Sequence, residues 1–293
     1  MVNNDSILAL INLIDDPDES IYEQIHDRLL SYGAEAIPYL ENSWEEQDFG
    51  LLFQNRIETL IHEIQFEETK RKLVEWISST EKDLLKGSVI VAKYQYPGLD
   101  ESHIQDQIQA IQKDVWLEIN NKQTALEKVR IINKVFFEMH HFKGNAKTFH
   151  SPLNSYINTV LETKKGNPLS LSILYSIVAK NLDLPVYGVN LPNHFILAYM
   201  DEHAINQFLP DTNNFGVLFY INPFSKGSVF DAAEIKEFLD GINQPHLREY
   251  FEPCSNTSII KRMITNLIAS FQEVGNSEKV NELIELRELF LII

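Results

Sequence analysis

The apolar positions of the chain change spacing twice. From residue 1 to about 80 they recur at helical intervals. Ile7, Leu10, Ile11 and Ile14 make one stripe, and Ile21, Ile25 and Leu29 make the next. Gly33 is placed to stop that helix, with Ile37 and Leu40 opening a shorter partner. Phe53, Ile57, Leu60, Ile61 and Ile64, then Leu73, Val74, Trp76 and Ile77 after a charged gap, predict a second helical pair. Residues 82–140 add helices broken at Pro97-Gly98, with helical spacing resuming over 104–116 and 125–137.

Between Val186 and Phe224 the pattern turns to strands. Val186-Tyr187-Gly188-Val189 and Phe195-Ile196-Leu197-Ala198-Tyr199 are rich in β-formers, and Pro192-Asn193 between them suits a turn. Val217-Leu218-Phe219-Tyr220-Ile221 is a third run of strand length. The first connection is too short for a helical crossover, so antiparallel pairing is expected. Beyond residue 231 the chain is helical again. Ile259, Ile260, Met263, Ile264, Leu267, Ile268 and Phe271 make a broad face, Gly275-Asn276-Ser277 breaks it, and Val280, Leu283, Ile284, Leu289 and Phe290 continue. These segments predict an α+β protein in three parts: a helical region 1–80, a core 81–240 containing the small sheet, and a C-terminal helical hairpin 241–293. Asp15-Asp16-Pro17-Asp18-Glu19 followed by Ala34-Glu35-Ala36-Ile37-Pro38 resembles one HEAT-type helical repeat, and the C-terminal hairpin has the form of a single tetratricopeptide-like pair. One pair does not make a binding array, so a hairpin packed on the domain is the plainer expectation.

The helix that starts at Gly166-Asn167-Pro168 carries the most information. Asn167 is a good N-cap, and Pro168 suits the first helical position, where the amide has no partner to lose. Leu171, Leu174, Tyr175, Val178 and Leu182 then predict a helix buried along one face.

Charge and cysteine content narrow the possible functions. Forty-two acidic against 25 basic residues give a formal charge of −17, which repels phosphate backbones and anionic lipid surfaces, so neither nucleic acid nor membrane is expected as a partner. A single cysteine, Cys254, excludes an internal disulfide and a cysteine-rich zinc site. The N-terminus lacks the basic and apolar regions of a signal peptide, and no run approaches the roughly 20 apolar residues of a membrane span, so the chain reads as cytoplasmic.

Several motifs in order then resemble one family. Asn133-Lys134-Val135-Phe136-Phe137, Phe142-Lys143-Gly144-Asn145 and Pro152-Leu153-Asn154-Ser155-Tyr156 lead to Gly166-Asn167-Pro168-Leu169-Ser170-Leu171. Pro192-Asn193-His194-Phe195 and Ile221-Asn222-Pro223-Phe224 follow, with weaker returns at Pro253-Cys254-Ser255-Asn256 and from Lys261 to Leu267. Together they resemble the SirB-type transglutaminase-like family over about two-thirds of the chain. That resemblance implies a papain-like fold. Active members of the wider superfamily carry a Cys at the start of a core helix, a His on one strand and an Asp on the next. Here it puts Pro168 at the Cys position, His194 at the His position and Asn222 at the Asp position, a degenerate triad.

Proline at the first position would remove two catalytic elements together, the nucleophile and the backbone N–H that serves as an oxyanion donor. Asn222 would still orient an imidazole. The reading is therefore of a pseudoenzyme that binds a protein or peptide, through the vestigial cleft (Asn167, Ser170, Ser172, Asn193) or through its helical flanks, with no cofactor and no metal. The alternative is an amidohydrolase, protease or transamidase rebuilt on Ser170 or Ser172 with His194; a third is a small-ligand sensor using the closed cleft. His194 is read as a structural histidine and Cys254 as a small buried hydrophobe. Adjacent His140 and His141 would point about 100° apart on a helix, and with His150 they have no carboxylate or Cys at ligand spacing.

Overall fold

A computed structural model describes residues 4–46, 50–201 and 216–292. The helical N-terminal region appears as α1 (Asn4–Ile11), α2 (Glu19–Tyr32), α3 (Ile37–Glu46) and α4 (Leu51–Ser78). Asp18 caps α2 by accepting the Ser20 amide at 2.9 Å, and Gly33, at φ 58°, ends it. Ile7, Ile11, Ile14, Ile25, Leu29, Leu40, Phe53, Ile57, Leu60 and Ile64 meet in one core, as their spacing predicted. Ile21 stays off that stripe, 39% exposed.

The expected second helical pair is a single helix of 28 residues, α4. The interval between its two apolar stretches contains neither Gly nor Pro. Its charges are neighbours on the helix surface: Lys70 meets Glu67 at 2.8 Å, and Glu68 meets Arg71 at 2.6 Å and Lys72 at 3.1 Å. The gap in the apolar stripe is thus a solvated helical stretch and not a turn.

Residues Met1–Glu75 with Lys93–Pro97 form one compact unit, and Trp76–Ala92 with Gly98–Ile293 form the other. The second unit gathers the sheet and the C-terminal hairpin into one body. After α5 (Leu84–Gln95) it contains α6 (Glu101–Glu118), capped by Asp100, and α7 (Ala125–Asn133), opened by a Thr124–Glu127 capping box. α7 widens into a π-helical stretch over Lys134–Met139, where the sequence pattern had predicted continuous α-helix. Two-residue strands β1 (Lys143–Gly144) and β2 (Lys165–Gly166) pair in parallel around α8 (Ile157–Thr163). They lead directly into α9 (Pro168–Lys180).

Strands β3 (Val186–Leu191), β4 (His194–Met200), β5 (Val217–Asn222) and β6 (Ser228–Phe230) form an antiparallel sheet in that order. The fourth strand has only three residues and no periodic signal in the sequence. Leu191 pairs with His194 across the two-residue turn Pro192-Asn193, with Asn193 at φ 57°, a conformation Asn tolerates. The sheet is covered on both faces. Val189, Leu191, Ile196, Ala198 and Tyr220 pack with Ile235 and Leu239 of α10 (Ala232–Gly241), and α9 packs on β3 and β4. The C-terminal hairpin is α11 (Asn256–Glu273) and α12 (Ser277–Ile292).

Every residue of α9 from Pro168 to Ala179 is buried, so this helix is enclosed on all sides and not along the one face expected. The Tyr175 hydroxyl donates to Asn133 Oδ1 at 3.1 Å, and Asn133 Nδ2 donates to the Gly227 carbonyl at 2.7 Å. Gly227 stands at φ 72°, and a Cβ there would meet Asn133 Oδ1 at 2.0 Å, so only glycine lets the turn after β5 close on the helical layer.

Candidate functional site

The start of α9 is fixed by a buried polar network. Asn167 Oδ1 accepts the Ser170 amide at 2.8 Å, and Ser170 Oγ accepts the Asn167 amide at 3.0 Å, a reciprocal capping box. Asn167 Nδ2 donates to Ser155 Oγ at 3.0 Å. Ser170 Oγ donates to the Asn154 carbonyl at 2.6 Å. Asn154 is held in turn: its Nδ2 donates to the carbonyls of Thr148 and Phe149, and its Oδ1 accepts from Asn145 at 2.9 Å. A Cβ on Gly166 would fall 2.5 Å from Ser170 Oγ, so the network needs glycine before the cap.

Both serines considered as nucleophiles spend their hydroxyl protons on backbone carbonyls. Ser170 gives its proton to Asn154, and the fully buried Ser172 donates to the Pro168 carbonyl at 2.7 Å. Pro168, at the first helical position, has neither a polar side chain nor an N–H.

His194 opens β4, and period-two alternation puts it on the same sheet face as Ile196. Asn222, which ends β5, lies on that face too, and its side chain hydrogen-bonds the His194 ring. Asn222 Oδ1 also accepts the amides of Phe224 and Ser225 at 3.1 and 3.3 Å, which anchors it in the turn leaving the sheet. The Phe238 ring of α10 lies 6.1 Å from the imidazole. Burial pushes the His194 ring below the usual imidazole range. The hydrogen bond with Asn222 opposes that shift, and the Arg262 guanidinium adds to it.

A cavity of about 400 Å³ brings these parts together. Asn167 and Pro168 from α9, Asn193 and His194 from the β3–β4 turn, and Arg262 and Asn266 from α11 are among its lining residues. Ser170 and Ser172 are not. Arg262 and Asn266 entered the sequence reading only within the weak motif from Lys261 to Leu267. Nothing in their local spacing signals that α11 folds back beside His194, so only that motif pointed to them.

Of the other candidates, His150 lines this cavity and Cys254, His140 and His141 do not. Cys254 borders the cavity next to this one, its amide donates to the Gly188 carbonyl at 2.8 Å, and burial pushes its thiol up to about 11, far from the thiolate a nucleophile needs. His140 Nε2 meets Asp114 Oδ2 at 2.8 Å and His150 Nδ1 meets Glu273 Oε2 at 3.3 Å, so each ring has its own carboxylate neighbour. Among the described residues no three His, Cys, Asp or Glu side chains gather closely enough to hold a metal ion.

The sequence profile of the transglutaminase-like superfamily matches residues 102–265, more than half of the chain. This chain belongs to the transglutaminase-like superfamily. The match takes in α9, the sheet and the part of α11 that carries Arg262, and therefore most of the cavity wall. The N-terminal helices lie outside it. A UPF0162 protein of Xylella fastidiosa is 27% identical over 194 residues, covering 63% of each chain. A UPF0162 protein of Vibrio cholerae is 22% identical over 192 residues, 63% of this chain and 65% of that protein. Mouse F-box only protein 21 is 28% identical over 196 residues, 66% of this chain and 29% of that longer protein. The chain thus spans less than two thirds of the length of each of these relatives. No solved structure matches it. Among the described residues no helix is long and apolar enough to cross a membrane.

Proposed function

We propose that this chain is a SirB-type, non-catalytic member of the superfamily that works by binding a protein or peptide in the cavity beside His194. Pro168 carries the reading. Cysteine chemistry needs a thiolate, a base and oxyanion donors, and proline at the head of α9 supplies no thiol and no amide proton. The rebuilt-serine alternative loses ground because the Ser170 and Ser172 protons are committed to the Asn154 and Pro168 carbonyls. Neither hydroxyl is bonded to an imidazole that would deprotonate it.

The cleft itself favours binding over a purely structural role. His194 is only partly buried, and the space beside it holds about 400 Å³, enough for one or two side chains of an extended peptide. Recurrence of the same region as 29% of a much longer protein, F-box only protein 21, fits a domain used as a module.

Titrating the isotope-labelled chain with a pool of N-acetylated hexapeptides, followed by NMR, tests the proposal. The expected result is saturable shifts at the Asn167 amide and the His194 ring. Shifts confined to the N-terminal helices or to α12 would move the binding surface off the cleft and overturn it.

A further inference from the structure

Arg262 lies in the wall shared by the His194 cavity and a neighbouring cavity of about 570 Å³. The fold uses only part of its guanidinium. Nη1 donates to Asn190 Oδ1 at 3.1 Å and to the Leu191 carbonyl at 3.5 Å, tying α11 to β3. Nε donates to Asn266 Oδ1 at 3.3 Å. All of these acceptors are neutral, and among the described residues no Asp or Glu pairs with Arg262. Nη2 has no protein acceptor among them. Asn266 is fixed in orientation, because Nε–H requires its oxygen, so its Nδ2 is also left as a donor.

The surroundings match that surplus of donors. The chain has 42 acidic residues, yet among the described residues none lines the His194 cavity, and Glu273, beside the lining His150, already has that ring as its partner at 3.3 Å. Glu249 and Glu252 line only the neighbouring cavity. Burial pulls the Arg262 guanidinium below its usual range, which marks a charge that is half desolvated without a counter-ion. A half-buried arginine with spare forked donors is suited to bind a carboxylate.

We propose that the His194 cavity binds a carboxylate carried on an extended peptide, with Arg262 Nη2 and Asn266 Nδ2 as its hydrogen-bond donors. This rests on the peptide-binding reading and adds the chemistry of the anchor. A peptide C-terminus and an Asp or Glu side chain offer the same group.

An array of random N-acetyl hexapeptides made in three forms tests the assignment. One form has a free C-terminus and no Asp or Glu, one is amidated with no Asp or Glu, and one is amidated with a single Asp or Glu. Wild type is expected to retain one of the two carboxylate forms at least about tenfold more tightly than the neutral form, the scale of one charge-assisted hydrogen bond. Which form is retained identifies the source of the carboxylate. Arg262→Gln, checked for an unchanged melting transition, is expected to abolish the preference and leave residual neutral binding. The comparison within wild type stands whether or not that variant folds. Equal retention of all three forms would overturn the carboxylate assignment while leaving the peptide-binding reading in place. Retention of none would overturn both.

Discussion

At the scale of single residues, Pro168 carries the proposed non-catalytic reading, and His194 reports on the environment of the cavity. Pro168 improves the helix it begins while withholding a thiol and an N–H. The depressed pKa of His194 gives a measurable pH dependence. Its folded pKa lies below the unfolded value of about 6.5, so at pH above 6.5 the ring is neutral in both states and costs nothing. As pH falls below 6.5 the unfolded chain takes up the proton first, and folding loses stability until the folded pKa is reached. The loss is at most about 1.4 kcal/mol per pH unit in that window. Urea titrations from pH 7.5 to 5 should show wild type losing stability relative to His194→Gln below pH 6.5. Parallel curves for the two proteins would contradict the placement of His194. Sequence reading brought His194, Asn222 and Pro168 into view through motif order alone. Arg262 and Asn266 were not legible as site residues, because their role comes from a helix that returns to the cleft from far along the chain.

Among the elements, α9 shows how well local rules read a boundary and how poorly they read surroundings. Asn167-Pro168 predicted the helix start correctly, down to the capping residue. The same sequence gave no sign that α9 is enclosed on every side, since its apolar residues fit a striped helix as well as a buried one. For α4 the apolar spacing lapses over a charged interval and so predicts a helical pair, but that interval has no Gly or Pro, and i,i+3 and i,i+4 ion pairs carry one helix across it. The β6 strand escaped notice because three residues make no period. The start of α9 also sets an energetic expectation. Asn167→Ala and Ser170→Ala should each lower stability by about 1–2 kcal/mol, the usual cost of a lost cap or buried hydrogen bond. Because the two side chains bond each other's amides, the double variant should depart from additivity by at least about 0.5 kcal/mol. Chemical denaturation of the four proteins checks this, and strictly additive losses would contradict a coupled network.

Taken whole, the molecule joins an N-terminal helical unit to a transglutaminase-like body whose sheet is covered on both faces. An α+β class was legible because the strand runs cluster in one interval between helical stretches. The cavity was not, because its lining comes from the loop near residue 150, the head of α9, the β3–β4 turn and α11, which are far apart in the chain. The chain carries a formal charge of −17, yet among the described residues no Asp or Glu lines the His194 cavity. On the function proposed above, this body keeps a papain-like scaffold without its chemistry. The most direct test is turnover of a broad panel of amide and ester substrates by wild type and by His194→Ala, with folding of both verified by circular dichroism. The expected result is the same background rate for both proteins. Turnover by wild type that disappears in folded His194→Ala would contradict it.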